Sequence, residues 1–145
     1  MIGGDSFTSL EKAFAAVPDC EDMINGEPTY VKLKGTIEVN NTINVPEKKN
    51  IMLVAAEDNT TIKRVAGFTE SMFTVNGGNL QMAGGSVTDS DGNAIGSGSL
   101  TVDGTGDGVT GSIVEVASGN YALIDGTTLT GNTTTGNGGA VNNAA

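Results

Sequence analysis

The chain has no histidine and no tryptophan, one cysteine, three prolines, and only 4% aromatic residues. Each scarcity closes a class of function. Without histidine there is no imidazole to serve as nucleophile, general base or metal ligand. A single cysteine, Cys20, forms no intrachain disulfide, so a disulfide-stapled scaffold is excluded. Long hydrophobic runs are also missing: the longest apolar stretch is residues 51–56, far short of the about 20 residues that a helical membrane span needs. Positive charge is scarce as well. The 145 residues hold 7 Lys and Arg against 17 Asp and Glu, a net charge of −10. Nucleic-acid binding rests on neutralising phosphates, and this balance argues against it. The opening Met1-Ile2-Gly3-Gly4 is too short and too polar to read as a secretory signal.

What is present is unevenly distributed. All the basic residues lie at or before Arg64, where 7 of them meet ten acids for about −3; from Val65 onward there are seven acids and no Lys or Arg, or −7. The second half is rich in Gly, Thr, Ser and Asn, a composition shared by disordered tracts and by narrow strand-and-turn folds. Short apolar alternations decide for order: Phe73 and Val75, Leu80 and Met82, Leu100 and Val102, Val114 and Val116, Tyr121 and Leu123. Disorder keeps no such period of two.

One helix is expected, at residues 8–17. Thr8-Ser9-Leu10-Glu11 fits a capping box, Phe7, Leu10, Phe14 and Val17 share one stripe with Ala13 beside it, and Pro18 ends the helix. Strands follow from Thr29. Val31 and Leu33 alternate with Lys32 and Lys34; Ile37 and Val39, then Ile43 and Val45, repeat the pattern. Residues 51–56 are apolar on both faces, which calls for a cover on the outer side, a role that suits the helix. Residues 59–64 make another short strand.

Residues 73–82 align with 114–123 at an offset of 41, placing Gly78-Asn79 on Gly119-Asn120. One inserted residue then brings Val87-Thr88 onto Leu129-Thr130. The cluster Leu100-Thr101-Val102 splits that offset into two turns of roughly 20–27 residues, and the earlier clusters at Leu33, Leu53 and Val75 step by 20 and 22, a period near 20. Such a repeat cannot bury its inner face alone and must stack. The fold class expected is all-β: a right-handed single-stranded parallel β-helix, a solenoid with an N-terminal α-helical cap. Residues 1–28 form the capping segment and 29–145 the strand coils, one domain that continues past residue 145 in a longer parent.

The run Phe7-Thr8-Ser9-Leu10-Glu11-Lys12-Ala13, followed by Tyr30-Val31-Lys32-Leu33-Lys34-Gly35-Thr36-Ile37, resembles the helix-capped start of pectin-lyase-like β-helix proteins. Leu129-Thr130-Gly131-Asn132, then Gly138-Gly139-Ala140-Val141, is similar to the paired motifs of polymorphic outer-membrane protein repeats, with Leu129 in the place of a phenylalanine. The resemblance implies a bacterial surface or autotransported adhesin, extracellular and secreted or cell-attached, whose β-helix serves as stalk or display surface. The lyases of this fold use an arginine base with calcium; here the sole arginine is Arg64, in the capped half.

Candidate sites are few. Asp89-Ser90-Asp91-Gly92-Asn93 opens like a calcium loop, but Ala94 and Leu100 stand where a loop glycine and a bidentate glutamate belong. Asp103-Gly104-Thr105-Gly106-Asp107-Gly108 fits better, so Asp103 and Asp107 are the calcium candidates. Its twelfth position is Val114, with Glu115 one residue late, and such sequences also make self-satisfied turns. The same carboxylate pairs, Asp89 with Asp91 or Asp103 with Asp107, are considered for glycoside hydrolysis. Threonines at 127–130 and 133–135 raise an ice-binding face, with Ser86, Val87 and Thr88 as the positions one coil earlier. Cys20 reads as an apolar filler beside Glu21 and Asp22, which discourage a thiolate. Tyr30 is an exposed ring able to stack on a sugar. Asn59 and Asn132 lie in glycosylation sequons and read as turn residues.

The function expected is a non-catalytic structural or adhesive module without a resident cofactor, Ca2+ excepted. Its partners are a host or glycan surface ligand and, through an open C-terminal end, another copy of itself. The alternative is a carbohydrate-binding or carbohydrate-active module related to polysaccharide lyases or glycosidases.

Overall fold

The structure, a computed structural model, describes residues 9–124, 126–136 and 139–144. It is dominated by strands, as the alternating pattern requires, and most of them pair in parallel. Helix α1 spans Leu10–Ala16. Strands β1 (Thr29–Leu33), β2 (Thr36–Val39), β3 (Ile43–Pro46), β4 (Asn50–Ala55) and β5 (Thr60–Arg64) follow. Then come β6 (Phe73–Ala83), β7 (Val87–Thr88), β8 (Ala94–Gly96), β9 (Leu100–Asp103), β10 (Val114–Ile124), β11 (Thr127–Thr130) and β12 (Val141–Asn143).

Ten of these strands build two parallel sheets. The first has the order β1-β4-β6-β10-β12, with β3 also pairing β6; the second has the order β2-β5-β9-β11. The chain passes back and forth between them, β3 and β4 forming two consecutive strands of the first sheet that both pair with the long β6. Inner rows of identical character result. Val31, Leu53 and Met82 form one, Ile43 and Val141 flank Phe73 and Val114 in another, and Ile37, Ile62, Val102 and Leu129 form a third. These rows, with Leu10, Ala13, Phe14 and Val17, make one apolar core. An asparagine row, Asn50, Asn79 and Asn120, runs beside it, and Asn120 donates from Nδ2 to Asn79 Oδ1 at 2.9 Å.

The offset of 41 is seen in the pairing of Phe73 with Val114 and Asn79 with Asn120. The uniform period near 20 is not. In the first sheet the offset is 22 from Thr29 to Ile51, 29 from Asn50 to Asn79, 41 from Phe73 to Val114 and 27 from Val114 to Val141. In the second it is 25 from Thr36 to Thr61, 40 from Thr60 to Leu100 and 27 from Leu100 to Thr127. The long steps contain an excursion. Val87 and Thr88 pair antiparallel with Gly96 and Ala94 in a hairpin outside both sheets. They are therefore not equivalent to Leu129-Thr130, which lie beside Val102 and Asp103.

The same hairpin corrects the expected cover of residues 51–56. Val54 is fully buried on the outward side of β4, and a Cβ on Gly96 would stand 3.3 Å from its Cβ. The helix packs elsewhere: the Phe14 ring lies 6.2 Å from that of Phe73, an inner-row residue. Its N-cap is Ser9, whose hydroxyl accepts from the Lys12 amide, so the expected pairing of Thr8 with Glu11 is replaced by one residue's shift. Thr8 and Phe7 lie outside the described residues. Val17 is extended at ψ 126, the conformation that Pro18 demands of its predecessor.

Candidate functional site

The most heavily bonded side chain in the second sheet is Arg64, which was not among the candidate site residues. In β5, Thr60, Ile62 and Arg64 share the inward face, and Arg64 is 1% exposed. Its Nε donates to Gly104 O at 2.9 Å, Nη1 to Phe68 O at 3.2 Å and to Glu70 O, and Nη2 to Asn132 Oδ1 at 2.9 Å. The guanidinium carbon lies 5.2 Å from the Phe68 ring centroid, within cation–π range. Burial holds its pKa below the usual arginine value. No carboxylate among the described residues pairs with it: the charge is solvated by carbonyls and one amide. Asn132 completes the clamp by donating from Nδ2 to Gly111 O at 3.1 Å and to Gly139 O. It is thus a connector of layers rather than a free turn residue. Asn59, by contrast, does sit in a turn, at φ 61.

The clamp accounts for two of the glycines of the calcium-loop candidate, while Gly108 sits at φ 66 with open space beside it. A Cβ at Gly106 would come 2.9 Å from Arg64 Cδ, and one at Gly104 would come 2.6 Å from Asn132 Oδ1. These positions are empty of side chain because the arginine and the asparagine pass there. Asp103 closes β9, and its Oδ1 accepts from the Thr105 amide at 2.9 Å and hydroxyl at 2.6 Å. Those two bonds, the hydroxyl's first, hold its pKa below the ordinary 3.8, with a smaller contribution from Lys63 on the neighbouring strand. Asp107 is exposed in the turn beyond. No hydrogen bond or ion pair among the described residues joins the two. Asp89 likewise serves its own turn: Oδ1 accepts from the Asp91 and Asn93 amides, both at 2.9 Å, lowering its pKa. No group of three or more Cys, Asp or Glu among the described residues is arranged to hold a metal.

The remaining candidates are also relocated. Tyr30 is half-buried and its hydroxyl donates to Glu27 Oε1 at 3.2 Å, while Ser90 of the hairpin turn donates to the same oxygen at 2.8 Å. Burial, then that Glu27 bond, raises the phenol's pKa, and the ring is no free stacking platform. Cys20 is half-buried, its Sγ 3.3 Å from Asp22 O. The threonine row does not involve residues 86–88. Register places Thr36, Thr61, Thr101 and Thr128 side by side on the outward face of the second sheet. The adjoining row reads Glu38, Lys63, Asp103 and Thr130, so the threonines border a charged file and not a second threonine rank.

Over the Arg64 clamp lies an open cleft of about 410 Å³, lined by Asn40, Asn41 and residues 65–70. Its two walls are consecutive layers of one corner. Val65 N donates to Val39 O at 3.0 Å, and Thr42 Oγ1 to Ser71 O at 2.7 Å. The next layer stacks on the 65–70 loop, with Thr110 N donating to Thr69 O at 2.9 Å. No protein-family model, curated protein or solved structure matches this chain. No helix among the described residues is long and apolar enough to cross a membrane.

Proposed function

We propose that the chain winds as a right-handed parallel β-helix capped by α1, and that it is a non-catalytic structural or adhesive module of a bacterial cell-surface or secreted protein, a pectin-lyase-like stalk or display surface. The observation that carries this reading is the row structure. Two parallel sheets repeat the same inner apolar positions over successive visits, which is how a chain with short strands makes a rigid rod. The outward rows are left to threonines and charges, a surface able to meet a host or glycan ligand. The acids do not act as a catalytic pair. Asp89 and Asp103 are each bonded to their own turns, which favours a lowered pKa, whereas an acid catalyst needs a raised one. The carbohydrate-active alternative has its best footing in the cleft of residues 65–70. Glu70 is the single acid among its lining residues, and glycoside hydrolysis uses two.

Self-association belongs to the same reading. The inner rows end on β10, β11 and β12, where Leu123 is 50% and Val141 37% exposed, and a second copy would cover them. The test of the function is retention without turnover. Immobilised domain should hold polysaccharide-coated or cell surfaces while releasing no product from pectin, alginate or arabinoxylan. Cleavage that disappears in Asp103→Asn or Asp107→Asn would overturn it.

A further inference from the structure

We propose that the cleft formed by Asn40, Asn41 and the 65–70 loop is a binding site for a neutral saccharide; the proposal rests on the adhesive reading and gives it a location. Its volume, about 410 Å³, falls in the range of small-ligand sites. The lining is of two kinds. Phe68, Val65 and Ala66 supply apolar surface suited to the C–H face of a pyranose. Asn40, Asn41, Thr69 and Glu70 supply hydrogen-bonding groups for its hydroxyls. Those groups are uncommitted where it matters. Asn41 Nδ2 donates to Asn40 Oδ1 at 3.2 Å, which leaves Asn40 Nδ2 as donor and Asn41 Oδ1 as acceptor. The Glu70 carboxylate and Thr69 hydroxyl have no partner among the described residues.

The cleft is also held in shape before any ligand arrives. Arg64 binds the carbonyls of Phe68 and Glu70 from below and lies against the Phe68 ring, so the loop that carries the ring and the carboxylate is fixed at both points. A preformed site loses less ordering entropy on binding. Charge sets the ligand class. Glu70 is the one charged residue in the lining, and the Arg64 cation is turned toward backbone carbonyls, so an anionic sugar meets repulsion without a compensating partner.

The test is a titration of the folded domain followed through its backbone amide resonances, with glucose, galactose, N-acetylglucosamine and cellobiose as probes and glucuronate as the anionic control. At least one neutral sugar should shift the amides of residues 40, 41 and 66–70 saturably, with a dissociation constant of about 1–10 mM, and glucuronate should bind about tenfold more weakly. Asn41→Ala and Glu70→Ala, both at exposed positions, should each weaken binding about tenfold with an unchanged melting temperature. Saturable shifts elsewhere, undiminished binding in both variants, or no saturable shift from any neutral sugar overturns the site. If that happens while the domain still adheres to coated surfaces, the cleft assignment fails and the adhesive reading stands.

Discussion

Arg64 is the residue on which the second half of the chain is hung. Its guanidinium reaches Gly104 and Asn132, 40 and 68 positions further on, and the three segments belong to successive layers. Replacing it with methionine would strand three carbonyls and the Asn132 amide, so Arg64→Met is expected to cost about 3 kcal/mol in denaturant unfolding. Paired with Asn132→Ala in a double-mutant cycle, it should show a coupling of about 1–3 kcal/mol. Additive effects would mean that the two side chains stand independently. Parity made this arginine visible in principle: Thr60, Ile62 and Arg64 alternate with Thr61 and Lys63, so a charge falls on the inward face. Its acceptors were not legible, because they come from loops whose proximity depends on registers fixed elsewhere. Gly104 and Gly106, between Asp103 and Asp107, answer to Asn132 and Arg64, a contact that spacing along the chain does not show. Asp103 makes its own prediction. Its folded pKa is depressed, so its contribution is present above the ordinary 3.8 and lost as pH falls through the folded value. Asp103→Asn should lower stability at neutral pH and flatten the acid limb of a urea midpoint profile. An unchanged limb would remove Asp103 from the account.

At the scale of elements, the helix and the hairpin divide the work of covering. Helix α1 presents Leu10, Ala13 and Phe14 to the core, and Val17 is buried just beyond its end. Phe14 is 4% exposed, so Phe14→Ala should cost about 3–5 kcal/mol, measured by chemical denaturation. A loss below about 1 kcal/mol would contradict its packing on Phe73. The helix, shorter than the expected 8–17 and running Leu10–Ala16 with Ser9 in place of Thr8 as cap and Val17 extended, was legible because stripe and proline stop coincide. The hairpin was not. Its two short strands, Val87–Thr88 and Ala94–Gly96, contain few apolar residues, and their pairing is antiparallel within a chain that otherwise repeats in parallel. An alignment that assumed one repeating unit had to absorb them as a coil. The strand pair at 73–83 and 114–124 was legible because its offset of 41 brings apolar Phe73, Val75, Leu80 and Met82 onto apolar Val114, Val116, Tyr121 and Leu123, and Asn79 onto Asn120.

For the whole molecule, helix α1 packs beside β3 against the core, whereas the strands at the far edge expose Leu123, Ile124 and Val141, with Tyr121 and Leu129 half-buried beside them. Unblocked strand edges recruit further strands. Light scattering over a concentration series is expected to show reversible association, weakened by Leu123→Lys, and a monomer at every concentration would contradict it. The central claim is that the rows from Val31 to Leu129 form one cooperative stack, tied across its layers by Arg64. Native-state amide hydrogen exchange tests it most directly. Strands β1, β4, β5, β6 and β9 should open together with a single free energy, and Arg64→Met should lower protection in β5 and β9 alike. Two groups of strands opening at separate free energies, with β9 protection untouched by that substitution, would contradict it.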